Sequence, residues 1–266
     1  MTIEKPTTMA AGSRAGHTLG PIEVPKSCNV LAGQLQQHIL DGTWAPGEPL
    51  PTERDLVSTT GLSRGSVREA LRILEAQGLV RTRPGRYGGS VVSTPTDALL
   101  ASHIHLFAKG LGVPLQSLVE ARQALEPKVA ELAARHRTDE DLAALHRIAA
   151  TLDKAAKDDV PRFLEANADW HTALAVASHN DLLRAFTASI SGLMLEVSRI
   201  ENFASDSVRQ LVTHAHRRIL QAIEARNPEL ARQRAERDIE AYARHLEAAL
   251  GATRKSVTRS RVKASR

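Results

Sequence analysis

Gly61-Leu62-Ser63-Arg64-Gly65-Ser66-Val67-Arg68-Glu69-Ala70-Leu71-Arg72-Ile73-Leu74-Glu75-Ala76-Gln77-Gly78 decides the reading of this 266-residue chain. Gly61-Leu62 reads as a turn and Ser63 as a helix cap, and Val67, Ala70, Leu71 and Leu74 fall on one helical stripe at i, i+3, i+4 and i+7. The opposite face carries Arg64, Ser66, Arg68 and Arg72, and Gly78 ends the helix as a glycine just past its last turn.

Upstream, Thr52 caps a shorter helix that runs to Thr60 with Leu56 and Val57 facing inward. Two helices joined by a glycine-containing turn, the second opening on Arg, Ser and Arg, form a helix-turn-helix. A first helix over Asn29–Asp41 carries Val30, Leu31, Leu35, Ile39 and Leu40 at helical spacing. Pro46, Gly47, Pro49 and Pro51 make Thr43–Pro51 a stiff linker, and Trp44 reads as a core plug. Downstream, Leu79–Arg83 and Ser90–Ser93 are β-prone runs around Pro84-Gly85-Arg86-Tyr87-Gly88-Gly89, a hairpin wing. Arg64 and Arg68, one helical turn apart, share a face, and a guanidinium forks to guanine O6 and N7 or clamps a phosphate. Gly65 permits close approach of a duplex, and Ser66 bonds a base edge or a phosphate. Arg54 is placed for backbone or base contact, and Gly85 and Arg86 suit the adjoining minor groove.

Beyond Pro95 the chain turns to Ala, Leu, Arg and Glu with sparse breakers, which predicts helices near 96–109, 115–136, 138–157, 160–178, 180–202, 206–226 and 228–249. Pro127 is expected to kink the second of these or to mark a first-turn boundary. The predicted fold class is mainly α, a winged helix-turn-helix followed by an all-α antiparallel bundle. The expected domains are a flexible tail at 1–26, a DNA-binding unit at 27–95, a helical effector-binding and dimerisation unit at 96–250, and a basic tail at 251–266. The net charge is +5 at pH 7. It is unevenly spread: Arg54–Arg86 holds seven arginines against Asp55, Glu69 and Glu75, a patch that attracts phosphate. No run of about 18 apolar residues marks a membrane span, and no apolar leader marks secretion. The single cysteine, Cys28, excludes an intramolecular disulfide framework and fits a reducing cytoplasm.

The stretch Gly42-Thr43-Trp44-Ala45-Pro46-Gly47-Glu48-Pro49-Leu50-Pro51-Thr52-Glu53-Arg54-Asp55-Leu56, with Gly61–Leu71 and Leu74–Val80, resembles the winged-helix domain of GntR-type bacterial transcription regulators. The resemblance covers about 27–95 and implies operator contacts at Arg54, Arg64, Ser66, Arg68 and the wing glycine Gly85. Gly65 stands where many members have Thr.

Arg122 and Glu126, Ala130–Arg135, Asn167-Ala168-Asp169-Trp170-His171, Ser178-His179-Asn180 and His216–Ile223 resemble the all-helical FCD effector domain. That resemblance, over about 96–249, implies a small carboxylate effector and a divalent metal, Zn or Ni-like, held by an Asp and a His one turn apart and by two later His. Here Asn167 takes the Asp position, His171 and His216 are retained, and Asp238 stands where the last His is expected. Two imidazoles, one carboxylate and an amide oxygen suit a borderline cation; the other reading is a pair of hydrogen-bonded pocket histidines. Arg122 is a candidate carboxylate clamp, or a structural partner of Glu126 at i+4. The expectation is a cytoplasmic, ligand-responsive regulator and not an enzyme. It is a repressor that binds a palindromic operator as a homodimer, with double-stranded DNA and a small organic acid as partners and no membrane. The rivals are a metal-dependent hydrolase using His171, His216 and Asp238, and an architectural DNA-coating protein.

Overall fold

Local hydrogen bonds set where the helices of the motif begin. The Thr52 hydroxyl accepts from the Asp55 amide at 3.2 Å and donates to the Asp55 carboxylate at 2.7 Å. The Ser63 hydroxyl accepts from the Ser66 amide at 3.1 Å, so each cap satisfies an amide that the first helical turn leaves open. Gly61 ends the earlier helix at φ +71°, a backbone state that favours glycine.

The computed structural model describes residues 25–83, 88–201 and 205–244, and the chain divides into two units, Met1–Thr94 and Pro95–Arg266. The first contains α1 (Ser27–Leu40), α2 (Glu53–Thr60), α3 (Arg64–Ala76), β1 (Val80–Arg83) and β2 (Gly89–Val92). The strands pair antiparallel, Val80 opposite Val92 and Arg83 opposite Gly89. Gly85 and Arg86, expected at the hairpin tip, lie outside the described residues. Leu31 and Leu35 of α1, Leu56 of α2, and Val67, Ala70, Leu71 and Leu74 of α3 form one core with Leu79, Val80 and Val92 of the hairpin; Trp44 packs against it partly buried.

The proline-rich linker is more than a turn. Gly47 donates to the Val92 carbonyl at 2.9 Å and Leu50 to that of Ser90 at 2.8 Å, while Val92 donates back to Glu48 at 2.9 Å. A bridge at Pro49 opposite Val91 makes this segment a third edge to the wing. Proline is tolerated there because an outer edge leaves alternate amides unbonded.

The second unit is helical: α4 (Asp97–Leu111), α5 (Leu115–His136), α6 (Asp139–Ala155), α7 (Val160–Ala177), α8 (Asp181–Glu201) and α9 (Asp206–Glu224), then α10 over 228–244. Thr138 and Asp141 form a reciprocal capping box that starts α6, and Asp159 caps α7 beside Pro161. The fold is therefore mainly α, a winged helix followed by a helical bundle. Pro127 lies inside α5, which continues on both sides of it, because packing of Val129, Ala130, Ala133 and Ala134 outweighs one lost backbone hydrogen bond. One local expectation needs correction. The helix expected to end near 109 runs on to Leu111, and Gly112 caps it at φ +61°. Trp170 and Phe163 of α7 anchor the core between Leu145 and Leu152 of α6 and Ile219 and Ile223 of α9. Leu118, Val119, Leu193, Met194 and Ile239 form a second cluster that joins α5, α8 and α10. Among the described residues no helix is long and apolar enough to cross a membrane.

Candidate functional sites

In the first unit, burial of Val67, Ala70, Leu71 and Leu74 turns the other face of α3 to solvent. Arg64, Gly65, Arg68 and Arg72 are exposed and Ser66 is half-buried. Arg64 forms no hydrogen bond or ion pair among the described residues. Arg68 does: its Nε lies 2.8 Å from Oε2 of Glu53 on α2, and not against Glu69 or Glu75 of its own helix. Arg72 Nη1 is 3.6 Å from Glu69. The Ser66 hydroxyl is held by those of Ser63 at 3.0 Å and Ser27 at 3.3 Å. Arg54 projects from α2 with its side chain 91% exposed. A Cβ at Gly65 would meet only the Ser63 hydroxyl, at 3.8 Å, so nothing inside the unit requires glycine there.

In the second unit, α5, α7, α9 and α10 bring a polar cluster together inside the bundle. Arg122, Glu126, His171 and His216 are 7%, 5%, 5% and 2% exposed, a burial that charged groups withstand only when paired. Arg122 Nε donates to Glu126 Oε1 at 2.6 Å and Nη2 to Oε2 at 3.2 Å, a two-pronged pair at i+4. The same Nη2 lies 2.8 Å from Nε2 and 3.4 Å from Nδ1 of His171, and Nδ1 is 3.2 Å from Glu126 Oε1. The guanidinium stands 5.5 Å from the centre of the Tyr242 ring. His216 stacks on Trp170 at 4.7 Å and 13°, meets His171 edge to face at 5.1 Å, and has Nε2 3.8 Å from Asp238 Oδ2.

Burial, then Arg122, pushes His171 well below the usual imidazole range. Burial and the charge facing it through His171 do the same to His216, so both rings are neutral at pH 7. The opposing carboxylate of Glu126 outweighs burial at Arg122 and raises its already high value. Burial, reinforced by the Glu126 charge, lifts Asp238 to about 7 against the pull of Arg122.

These residues test the metal expectation. Asn167 Oδ1 and His216 Nδ1 are buried without a hydrogen-bond partner, as two ligand atoms of the expected set would be. The other two positions disagree. A guanidinium and a carboxylate already crowd the His171 ring. Among the described residues no three His, Cys, Asp or Glu side chains gather as a metal-holding group. A second cation beside the Arg122 guanidinium would also meet direct repulsion. As arranged, the residues do not fit a divalent ion; Arg122 supplies the positive charge. A cavity of about 20 Å³ bordered by Arg122, Asn167, His171 and Ser191 holds about one water.

The cluster was only partly visible in the residue pattern. Tyr242 and Trp170 were not singled out, although Tyr242 is one turn from Asp238 and Trp170 adjoins His171. His214 and Asp169 are both exposed.

Comparison with known proteins follows the same division. Residues 29–88 match the family model described as bacterial regulatory proteins, gntR family, and residues 117–241 match the FCD domain. The Glc operon transcriptional activator of Escherichia coli K12 is 31% identical over 79% of this chain and 85% of its own. The LutR regulator of Bacillus subtilis is 34% identical over 71% and 87%. The transcriptional repressor NanR of Edwardsiella tarda is 29% identical over 71% and 74%. A solved Streptococcus agalactiae GntR structure superposes with a TM-score of 0.59 at 25% identity, over 82% of this chain and 99% of that one.

Proposed function

Because the chain belongs to the gntR family of bacterial DNA-binding regulators, with an FCD domain behind its winged helix, we propose that it is a cytoplasmic repressor whose homodimer releases a palindromic operator when a small organic acid enters the second unit. The observation that carries the DNA half is the solvent face of α3. Arg64 is unpaired among the described residues, Arg68 is exposed, and Gly65 is a glycine that its own unit does not need. Arg64 and Arg68 read base edges from the major groove, Ser66 and Arg54 bind the backbone, and Gly85 with Arg86 reaches the minor groove. One such helix reads a half-site, so two copies are needed for useful specificity. Exposed apolar side chains support self-association: Leu106, Phe107 and Leu111 of α4, and Leu182 of α8, are about two-thirds exposed.

The effector half rests on Arg122. A guanidinium buried against neutral His171 and bordering the cavity suits a carboxylate, which accepts two hydrogen bonds from one arginine. The cavity is far below the few hundred Å³ of a usual ligand pocket, so an entering acid has to part α7 from its neighbours. That motion is the signal, provided the acid binds the two arrangements with different affinity. In this reading the cluster works with the guanidinium as its cation and without a divalent metal at Asn167, His171, His216 and Asp238.

The deciding experiment is a footprint on operator fragments with the full chain, followed by a thermal-shift screen of small organic acids with and without chelator. A defined two-fold footprint, lost in Arg64→Ala/Arg68→Ala and weakened by the acid that raises the melting temperature, is expected. Uniform coating of any duplex, unaffected by every acid, would sink the reading.

A further inference from the structure

Carboxylates match most of the bundle's arginines. Arg135 pairs with Glu131 at 2.9 Å, Arg184 with Asp97 at 2.8 Å, Arg217 with Asp153 at 2.9 Å and Arg232 with Glu229 at 2.8 Å. Arg218 of α9 and Arg234 and Arg237 of α10 have no carboxylate partner within ion-pair distance among the described residues. All three line one cleft of about 140 Å³, together with His214 and Asp238. Their spacing explains the convergence: His214 and Arg218 are one turn apart on α9, and Arg234 and Arg237 share a face of α10. The Arg234 guanidinium is fastened by its Nη1, which donates to the Arg218 backbone carbonyl. Its Nε is buried and has no hydrogen-bond partner. A buried donor left unsatisfied is costly, and so are three like charges around one space. A bound anion relieves the repulsion among the three charges.

We propose that this cleft is a second anion site, distinct from the Arg122 cluster, and that it takes a small phosphate-type oxyanion. Its volume excludes a drug-sized ligand and accommodates a compact tetrahedral group. Three arginines lining one cleft match a doubly charged oxyanion with several acceptor oxygens better than a single carboxylate, whose two oxygens one arginine satisfies. Asp238 forms one wall and on its other side faces His216 at 3.8 Å, so the two sites share a residue without sharing their cations.

The test is calorimetric titration of the full chain with inorganic phosphate at constant ionic strength, with chloride, succinate and glycerol phosphate in parallel. Saturable phosphate binding that chloride and succinate do not reproduce is expected. Arg234→Gln/Arg237→Gln should weaken it at least tenfold, and Arg135→Gln, at an exposed ion pair with Glu131, should leave it unchanged. Glycerol phosphate binding as well as phosphate assigns the site to a phosphoryl group on a metabolite, and its failure to bind assigns it to free phosphate. Circular dichroism checks that the double variant is folded; if it is not, Arg218→Gln, at an exposed position, gives the same comparison. Phosphate no better than chloride at equal ionic strength overturns the proposal, as does unaltered binding in the variants. Loss of operator affinity with no phosphate binding also overturns it, since the arginines would then serve DNA. None of these results depends on the organic acid proposed for the Arg122 cluster.

Discussion

Arg122 and His171, 49 residues apart on α5 and α7, meet at 2.8 Å inside the bundle, the guanidinium against the Nε2 lone pair of a neutral imidazole. Glu126 closes the group by binding the same guanidinium from one turn along α5. A buried cation thus sits where a metal ion would otherwise compete for the same imidazole.

Removing Arg122 alone leaves the Glu126 carboxylate buried and unpaired. Arg122→Met should destabilise the second unit by about 3–5 kcal/mol in denaturant unfolding. The double change Arg122→Met/Glu126→Leu should recover most of that loss while acid binding stays abolished. A double variant as unstable as the single would show that the pair is not the source of the cost.

Metal removal gives an independent check. Extensive chelation should leave both the melting temperature and the acid-induced shift in melting unchanged within error. Elemental analysis showing one equivalent of Zn or Ni retained per chain, lost together with acid binding, would restore the metal reading.

The buried titrating groups set a pH profile. Asp238 holds its proton up to about 7 in the folded chain, so folding takes up a proton between the ordinary carboxylate range and pH 7, and the stability it contributes falls as pH rises through that window. His171 and His216 are held neutral, so their contribution falls as pH drops below the ordinary imidazole value near 6.5. Asp238→Asn should flatten the fall between the ordinary carboxylate range and pH 7 and raise stability at and above pH 7 by a few kcal/mol. Melting curves from about pH 4 to 8 cover the window; an unchanged fall in stability toward pH 7 in the variant would remove Asp238 from the account.

If α3 enters the groove as proposed, Arg68 must leave or share Glu53, 2.8 Å away. Arg68→Ala should weaken operator binding by about 1–3 kcal/mol if it reads a base. Arg72→Ala should change affinity little at matched salt. Glu53→Gln keeps the shape but removes the charge that orients Arg68, and should relax discrimination between operator variants more than it changes binding to random duplex. Competition binding against both DNA classes measures the difference.

The legible parts of the fold were those written in short-range chemistry. Ser63, Thr52 and Thr138 announce helix starts because each cap bonds an amide within three residues. The stripe from Val67 to Leu74 announces which face of α3 is buried, and therefore that Arg64 and Arg68 face out. Pro127 keeps its place inside the helix although its local cost is plain in the sequence, because the packing of Val129 and Ala133 that outweighs it comes from other helices.

By itself, the sequence determined the two units and the outward arginines, because helix periodicity and capping act over a few residues. Only the tertiary structure decided what Arg122 and Arg68 touch. Arg122 bonds Glu126 one turn away yet also meets His171 from α7, and Arg68 turns from Glu69 and Glu75 on its own helix to Glu53 on α2. A guanidinium reaches several carboxylates and rings at similar cost, and the choice among them depends on which helices the core brings together and how much water their packing removes.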